Sequence, residues 1–467
     1  MCDGRRERGC RPVWPSSAQY RQSRGARLKP TEPKQTLLRW LSQTLDEASL
    51  DRVMASKVMR RGDHLVVAGE EFDVTSPRRI FVAGIGKAAL PMCEALAPLL
   101  PSTAFAALVA LDPSDFSRQE FRIFSGGHPY PNLDSEIAAS YVLAIAEGLT
   151  SEDMFICNLS GGGSAICEQA LPADVSLPDL RAFYEVLVTC GANIVEMNIL
   201  RKHLSRIKGG RLAAAAAPAR QLTLYVSDVP PGEPSTVASG PTMPDESTCD
   251  DAYATAESLG IVSRFPKSIR KRFEERTLQE TPKRGSPEFA RSRWICLLDN
   301  FAVLESVEAK ARDSGWVLER DMSVDDQPVE DAAGALIDRL VALTRTTPGR
   351  TVAVTSGGEL SSPVKGDGMG GRNQAFVLCA ARMLAARGVR ATVLSAGTDG
   401  IDGNSPAAGA VADHTSVARA EVLGMDAEDF EQRSDSYRFF KGLGDLIVTG
   451  PTGNNVRDVR ILVAEPS

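Results

Sequence analysis

The sequence predicts an α/β fold of two Rossmann-like domains with largely parallel sheets and a cleft between them. Three observations carry this. Short apolar runs alternate with helical periodicity along the chain, the order expected of doubly wound sheets. Nearly every such run empties into a polar, glycine-rich loop, and ligands of these folds bind beyond the carboxyl ends of the strands. A charged, proline-containing stretch at 276–293 lacks apolar periodicity and reads as a linker. The expected division is a disordered extension at 1–34, an N-terminal α/β domain at 35–285 and a C-terminal α/β domain at 286–467.

The extension holds nine basic residues against three acidic ones, four prolines and no hydrophobic stretch, so it is not a secretory signal. Leu37, Leu38, Leu41 and Leu45, then Leu50, Val53 and Met54, fall at helical spacing and predict two amphipathic helices covering a sheet face. Two β-rich runs follow within 63–73. A buried strand at 79–83 leads into Gly84-Ile85-Gly86-Lys87-Ala88-Ala89 and a helix. Strands at 104–111, closing on Asp112, and at 121–124, closing on Gly126-Gly127-His128-Pro129, come next. The strand at 154–159 ends in Ser160-Gly161-Gly162-Gly163-Ser164, and the strand at 222–226 ends in Ser227-Asp228. Between these last two, paired helices at 180–190 and 193–206 break at Gly191; the second carries Arg201, Lys202 and His203, expected on its surface.

The second unit is expected to open with a strand at 294–299. Its centre is Thr355 to Phe376, where an apolar strand runs into Gly357-Gly358-Glu359, then Gly366, Gly368, Gly370 and Gly371, then Arg372-Asn373-Gln374 and a long helix. Glycines let backbone N–H groups converge, and a helix start adds the positive end of its dipole, so this stretch reads as an anion site. Further strands are expected at 392–394, ending in Gly397-Thr398-Asp399-Gly400, at 445–449, ending in Gly450-Pro451-Thr452-Gly453-Asn454-Asn455, and at 459–463.

Composition narrows the chemistry. With 467 residues and 53 basic against 60 acidic side chains, the net charge of −7 argues against nucleic acid as the main partner. No apolar run reaches the roughly 20 residues that cross a bilayer. The nine cysteines form no C-x-x-C pair, which fits reduced thiols in a cytoplasmic protein. Glycine nests with Lys87, Arg372, Asp228 and Asp399 suit phosphoryl transfer, which needs cations and N–H groups around phosphate and carboxylates for a metal or a hydroxyl. No P-loop and no protein-kinase signature is present. Gly84-x-Gly86-x-x-Ala89 after a strand also satisfies a dinucleotide fingerprint, so a nicotinamide-dependent oxidoreductase stands as the alternative, with a non-catalytic small-molecule binder as a third class.

Taken together, GIGKAA (84–89), GGHPYPN (126–132), SGGGSA (160–165), RKHLSRIKGGRLA (201–213), SGPTMPD (239–245), TSGGE (355–359), GGRNQ (370–374), GTDGIDG (397–403) and GPTGNN (450–455) resemble the glycerate 2-kinase (class II glycerate kinase) family with its C-terminal MOFRL domain. The resemblance implies phosphorylation of D-glycerate to 2-phosphoglycerate with ATP and magnesium, in a cleft between the domains of a monomer or homodimer. Lys87 and Arg372 would be the principal catalytic cations, aided by Asp228 and Asp399, which would also hold the metal. ATP phosphates would meet Gly84, Gly86, Ser160, Gly161, Gly162, Gly163, Ser164, Gly370, Gly371 and Asn373; the substrate would meet Glu359, His128 and Asn455. Relatives labelled hydroxypyruvate reductase keep the oxidoreductase alternative in view. The chain departs from the family pattern at Val229-Pro230-Pro231-Gly232-Glu233, at Asn404-Ser405-Pro406-Ala407, at Ala375 and at Arg457.

Overall fold

The structure is a computed structural model that describes residues 32–102, 104–110, 121–230 and 232–466. Asp112 and the bulk of the expected N-terminal extension lie outside the described residues. The strands are β1 (Val58–Arg61), β2 (His64–Val67), β3 (Glu70–Asp73), β4 (Ile80–Ile85), β5 (Ala104–Ala110), β6 (Phe121–Ser125), β7 (Met154–Leu159), β8 (Arg220–Val226), β9 (Ser292–Leu298), β10 (Val317–Arg320), β11 (Val352–Ser356), β12 (Thr392–Gly397), β13 (Gly409–Asp413), β14 (Leu446–Ile447) and β15 (Asp458–Ala464). β1 to β3 form a small antiparallel meander beside two six-stranded sheets.

The first large sheet has the order β6-β5-β4-β7-β8-β9 with every pair parallel. This is the 3-2-1-4-5-6 order of a dinucleotide-type fold, with its switch point between β4 and β7. Both faces are covered, so β4 and β7 are buried along their whole length and read as unbroken apolar runs. The switch point sets the loop after β4 beside the loop after β7, which is why Lys87 meets Gly161 and Gly162.

The second sheet, β10-β11-β15-β12-β13-β14, departs from the expectation of parallel strands. Only β10 and β11 run parallel; β11/β15, β15/β12, β12/β13 and β13/β14 are antiparallel. The physical reason lies in the connections: β12 reaches β13 through the loop at 398–408 with no crossover helix, and β15 enters between β11 and β12 from the opposite direction. The register pairs Ser356 with Arg460 and Gly397 with Asp458, so the beginning of β15 lies beside the ends of β11 and β12. Residues from three strands are thereby gathered at one edge.

Two further expectations are revised. The strand at 292–298 pairs with β8 and completes the first sheet, so 276–293 leads into that sheet and the chain leaves for the second one only after Leu298. Lys34, counted with the extension, belongs to the helix Glu32–Glu47; it is 1 % exposed and sits 2.8 Å from Asp445 and 3.3 Å from Asp413 of the second sheet. That helix and the helix Asn300–Asp313 join both sheets in one apolar core, in which Leu37 and Trp40 lie with Ile80, Leu224, Leu304, Leu394 and Ile461. Burial of such side chains stabilises by roughly 1.5–3 kcal/mol each. Among the described residues no helix is long and apolar enough to cross a membrane.

Candidate functional site

The glycine loops differ in what their N–H groups do. After β4, Gly86 donates to Val109 O (3.2 Å), Lys87 to Gly161 O (3.0 Å), Ala88 to Ser160 Oγ (2.9 Å) and Ala89 to Gly86 O (3.2 Å). The start of the helix Ala89–Leu96 is therefore filled by the neighbouring loop, and Gly84 packs against Cys93 and Leu108. Neither Gly84 nor Gly86 offers the open donor expected of it, and the N–H groups from Gly86 to Ala89 that a dinucleotide pyrophosphate would meet are taken. Gly86, at φ +123°, is required because a Cβ there would collide with Ser160.

The loop after β7 is the open one. Gly161, Gly162, Gly163 and Ser164 make no N–H hydrogen bond among the described residues. Ser160 is buried and ties this loop to Ala88, while Ser164 Oγ lies 2.7 Å from Ser239 Oγ. The exposed Lys87 side chain runs along Gly162, where a Cβ would stand 3.0 Å from Lys87 Cε and 3.3 Å from His128 Cδ2. A Cβ on Gly161 would strike the Asp228 carboxylate. Lys87, His128, Asp228 and the open N–H groups thus share one small space.

Their electrostatics follow from that crowding. Burial raises the Asp228 pKa above the usual carboxylate value, and the Lys87 and Arg457 cations offset part of the rise. No other described residue hydrogen-bonds its carboxylate. Desolvation, then Lys87, then Arg201 lower His128 to about 4, so its imidazole is neutral at pH 7. Arg201, Lys202 and His203 are not surface residues, being 8 %, 5 % and 1 % exposed. Lys202 pairs with Asp245 at 2.9 Å, whereas Arg201 has no carboxylate partner among the described residues. Its guanidinium lies 4.8 Å over the Tyr184 ring, and its buried Nε is unpartnered. Tyr184 in turn donates to Ser164 O and Glu168, and Glu168 pairs with the buried Lys208.

The second sheet supplies a contrasting cluster. Arg372 donates from Nε to Asp458 Oδ2 (2.6 Å) and from Nη2 to Asp458 Oδ1 (3.0 Å), and Nη2 stands 2.9 Å from Glu359 Oε1. Nη1 has no partner among the described residues. Burial opposes the Arg372 charge, but the Asp458 hydrogen bonds outweigh it and raise the pKa. Asp458 also accepts from the fully buried Arg460 (3.0 Å), and Arg457 forks onto Asp325 at 2.6 and 2.8 Å. Burial raises Glu359, with Arg372 and Arg457 opposing, and the Asp228 charge reaches it from the first sheet. Lys87 and Arg372 thus flank a run of charges, Asp228, Arg457 and Glu359, drawn from both sheets. Asp399 joins the Arg372 side: burial raises it, its Oδ1 accepts from Ile401 N–H (3.0 Å), and Asp458 and Arg372 act on it. Asn455 is exposed and accepts from Arg457 N–H (2.9 Å).

The stretch read as the main anion site is partly filled by side chains. Asp402 accepts from Asn373 N–H (3.0 Å) and Gln374 N–H (2.8 Å) at the start of the helix Arg372–Arg387. Met369 N–H goes to Asp435 (3.0 Å), Gly370 N–H to Asn404 Oδ1 (2.8 Å), and Gly368 N–H to Arg433 O (3.2 Å). Gly370 and Asn373 thus spend their N–H groups on the mount of Arg372, whereas the Gly371 and Arg372 N–H groups make no hydrogen bond among the described residues. Beside it opens a cavity of about 1050 Å3, lined by Leu360, Gly371, Arg372, Met383 and Phe430 among others. Sequence reasoning missed Asp458 and Arg460, whose only signal was the direction of β15, and Asp325; it noted Arg457 only as a departure from the family pattern and expected Arg201 on the surface.

A Rossmann-ordered sheet with an open nest beside a lysine, joined to a mixed sheet that presents a clamped arginine, defines a two-sheet α/β protein with a cluster of charged side chains at the junction. The comparisons give this class its family. Residues 36–274 match the family described as Domain of unknown function (DUF4147), and residues 352–458 match the MOFRL family. The chain is 33 % identical to the D-glycerate 2-kinase of Thermotoga maritima over 89 % of this chain and 99 % of that one. It is 36 % identical to a putative hydroxypyruvate reductase of Agrobacterium vitis, over 88 % of this chain and 95 % of that one. The crystal structure of a Thermotoga maritima glycerate kinase superposes with a TM-score of 0.78 at 30 % identity, covering 93 % of this chain and 100 % of that one. The chain belongs to the glycerate 2-kinase family.

Proposed function

We propose that the protein transfers a phosphoryl group from ATP to the 2-hydroxyl of D-glycerate, giving 2-phosphoglycerate and ADP. The observation that carries this reading is Asp228: a carboxylate with a raised pKa and no hydrogen-bonding neighbour, set between Lys87 of one sheet and Arg457 and Glu359 of the other. In this scheme Asp228 takes the proton of the 2-hydroxyl as that oxygen bonds to phosphorus and the bond to ADP breaks. Lys87 and the N–H groups of Gly161 to Ser164 hold the group in flight, and Arg372 Nη1 meets it from the second sheet. Arg201, stacked on Tyr184 beside the neutral His128, takes the substrate carboxylate. The nucleoside occupies the 1050 Å3 cavity that Arg372 lines.

Magnesium takes one or two carboxylates and otherwise phosphate oxygens and water. Asp228, whose carboxylate accepts only from its own backbone N–H, fits such a ligand; Asp399 has one oxygen committed to Ile401. The ion would neutralise phosphate charge when bound. After Asp228 the chain reads Val229-Pro230-Pro231-Gly232-Glu233, with no acid directly beside it, so the carboxylate side rests on Asp228 itself.

The strand order alone favours a dinucleotide, but the donors that would receive it are occupied after β4. The test is purified protein with ATP, magnesium and D-glycerate, the product identified by phosphorus NMR, beside hydroxypyruvate with NADH or NADPH. ATP-dependent formation of 2-phosphoglycerate is expected; nicotinamide-dependent reduction without ATP turnover would replace this reading.

A further inference from the structure

Behind the helix Ile194–Leu204, away from the phosphoryl site, three potential ligand atoms converge. His203 is 1 % exposed, and its Nδ1 lies 2.8 Å from Ile199 O. A carbonyl only accepts, so Nδ1 carries the proton and Nε2 presents its lone pair. That Nε2 is buried without a hydrogen-bond partner. It faces Cys249, the first residue of the helix Cys249–Ser258, and Glu280, and the ligand atoms of the three lie within 4.8 Å of one another. Among the described residues this is the one group of three or more His, Cys, Asp or Glu side chains so arranged.

We propose that His203 Nε2, Cys249 Sγ and Glu280 bind a thiophilic divalent cation of the zinc type, with water completing the shell. A nitrogen, sulfur and carboxylate set selects zinc over magnesium, so the site is chemically distinct from the metal of phosphoryl transfer. The Nδ1–H bond to Ile199 O is the outer contact that commonly fixes a ligating histidine and exposes the other nitrogen. Tetrahedral zinc places such ligands roughly 3.3–3.6 Å apart; His203 Nε2 and Glu280 Oε2 stand 3.9 Å apart, and Glu280 is a half-exposed side chain free to close that gap. Its other oxygen already accepts Cys249 N–H at 2.7 Å, which holds carboxylate and thiol together.

Uptake replaces two partners. The Cys249 thiol loses its proton to solvent, and Lys283, 2.8 Å from Glu280, yields that oxygen to the divalent ion. Without metal, burial and then Glu280 raise the thiol to about 11, opposed by Lys283 and Arg211, so binding strengthens as pH rises. A cavity of about 210 Å3, lined by His203, Arg272, Thr277, Leu278 and Gln279, lies against the histidine. The ion would clip the 276–283 stretch and the helix Cys249–Ser258 to the back of the helix that carries Arg201. Two residues apart, Arg201 and His203 point to nearly opposite sides of it.

The experiment titrates the full chain with zinc alone, then with cobalt(II) as a coloured substitute, in wild type, Cys249→Ser and Glu280→Gln. One equivalent per chain is expected, with thiolate-to-cobalt charge-transfer absorption and a zinc-dependent rise in Tm, both lost in Cys249→Ser. Glu280→Gln, a surface change that leaves folding intact, should weaken zinc binding at least tenfold. Absence of binding, or a cobalt spectrum and affinity unchanged in Cys249→Ser, would overturn the site. Neither outcome depends on kinase activity.

Discussion

The loop at 366–371 and the loop at 160–164 are both rich in glycine, yet side chains fill the middle of one and leave the other open. In the first, Arg433 O, Asp435 and Asn404 take the N–H groups of Gly368, Met369 and Gly370, Asp402 takes those of Asn373 and Gln374 just beyond, and the product is a seat for Arg372. In the second, four successive N–H groups remain unbonded beside Lys87 and Asp228. Glycine permits the backbone to present donors, but side chains distant in sequence decide whether those donors reach a ligand. The division of labour is physical: one half positions a cation by saturating its surroundings, the other keeps its donors free for substrate.

The largest effects should come from the cations the two loops serve. Lys87→Ala and Arg372→Ala are each expected to lower kcat on the order of 10²–10³ with ATP and D-glycerate saturating, the size of a lost electrostatic stabiliser. Arg372→Lys should rescue little, since an ammonium cannot reproduce the fork onto Asp458. Retention of wild-type kcat by either alanine variant would remove that residue from the phosphoryl site.

Glycine substitutions separate the two loops directly. Gly371→Ala drives a Cβ into Asp402, disturbing the helix cap, and should destabilise the fold by about 2 kcal/mol, read as a fall in Tm. Gly161→Ala drives a Cβ into Asp228 and should abolish turnover with Tm nearly unchanged. The opposite assignment of losses would exchange the roles given to the loops.

Much of this was legible in the sequence, for reasons that also explain what was not. β4 and β7 are buried on both faces, so apolar runs ending in glycine located the first sheet and its switch point. The nine motifs pointed to the family the comparisons support. β13 was missed because Gly409–Asp413 is a run of small residues without a β-branched pattern, and without it the antiparallel second sheet could not be inferred. A parallel β15 would have carried Asp458 and Arg460 to the far edge, so the carboxylate that clamps Arg372 had no place in a sequence reading. Asp402, read as part of a glycine turn, gave no sign that it closes the neighbouring helix start.

Smaller effects refine the open half. Arg201→Lys should raise KM for D-glycerate about tenfold, roughly 1.4 kcal/mol, and leave KM for ATP unchanged. An equal rise for both substrates would make Arg201 a packing residue on Tyr184. His128, held at about 4, should show no imidazole titration by NMR between about pH 5 and 8. The unfolded chain takes up that proton near pH 6.5 and the folded one does not, so the stability His128 supplies above that pH is lost as pH falls towards 4. A measured value near 6.5 would mean that His128 is neither buried nor crowded by Lys87 and Arg201.

The distinction between the loops can be read from the protein's own backbone. Amide resonances of Gly161, Gly162, Gly163 and Ser164 should shift when a non-hydrolysable ATP analogue and D-glycerate are added together, while those of Met369, Gly370, Asn373 and Gln374 stay in place. Shifts confined to the second set, with the first unmoved, would contradict the account.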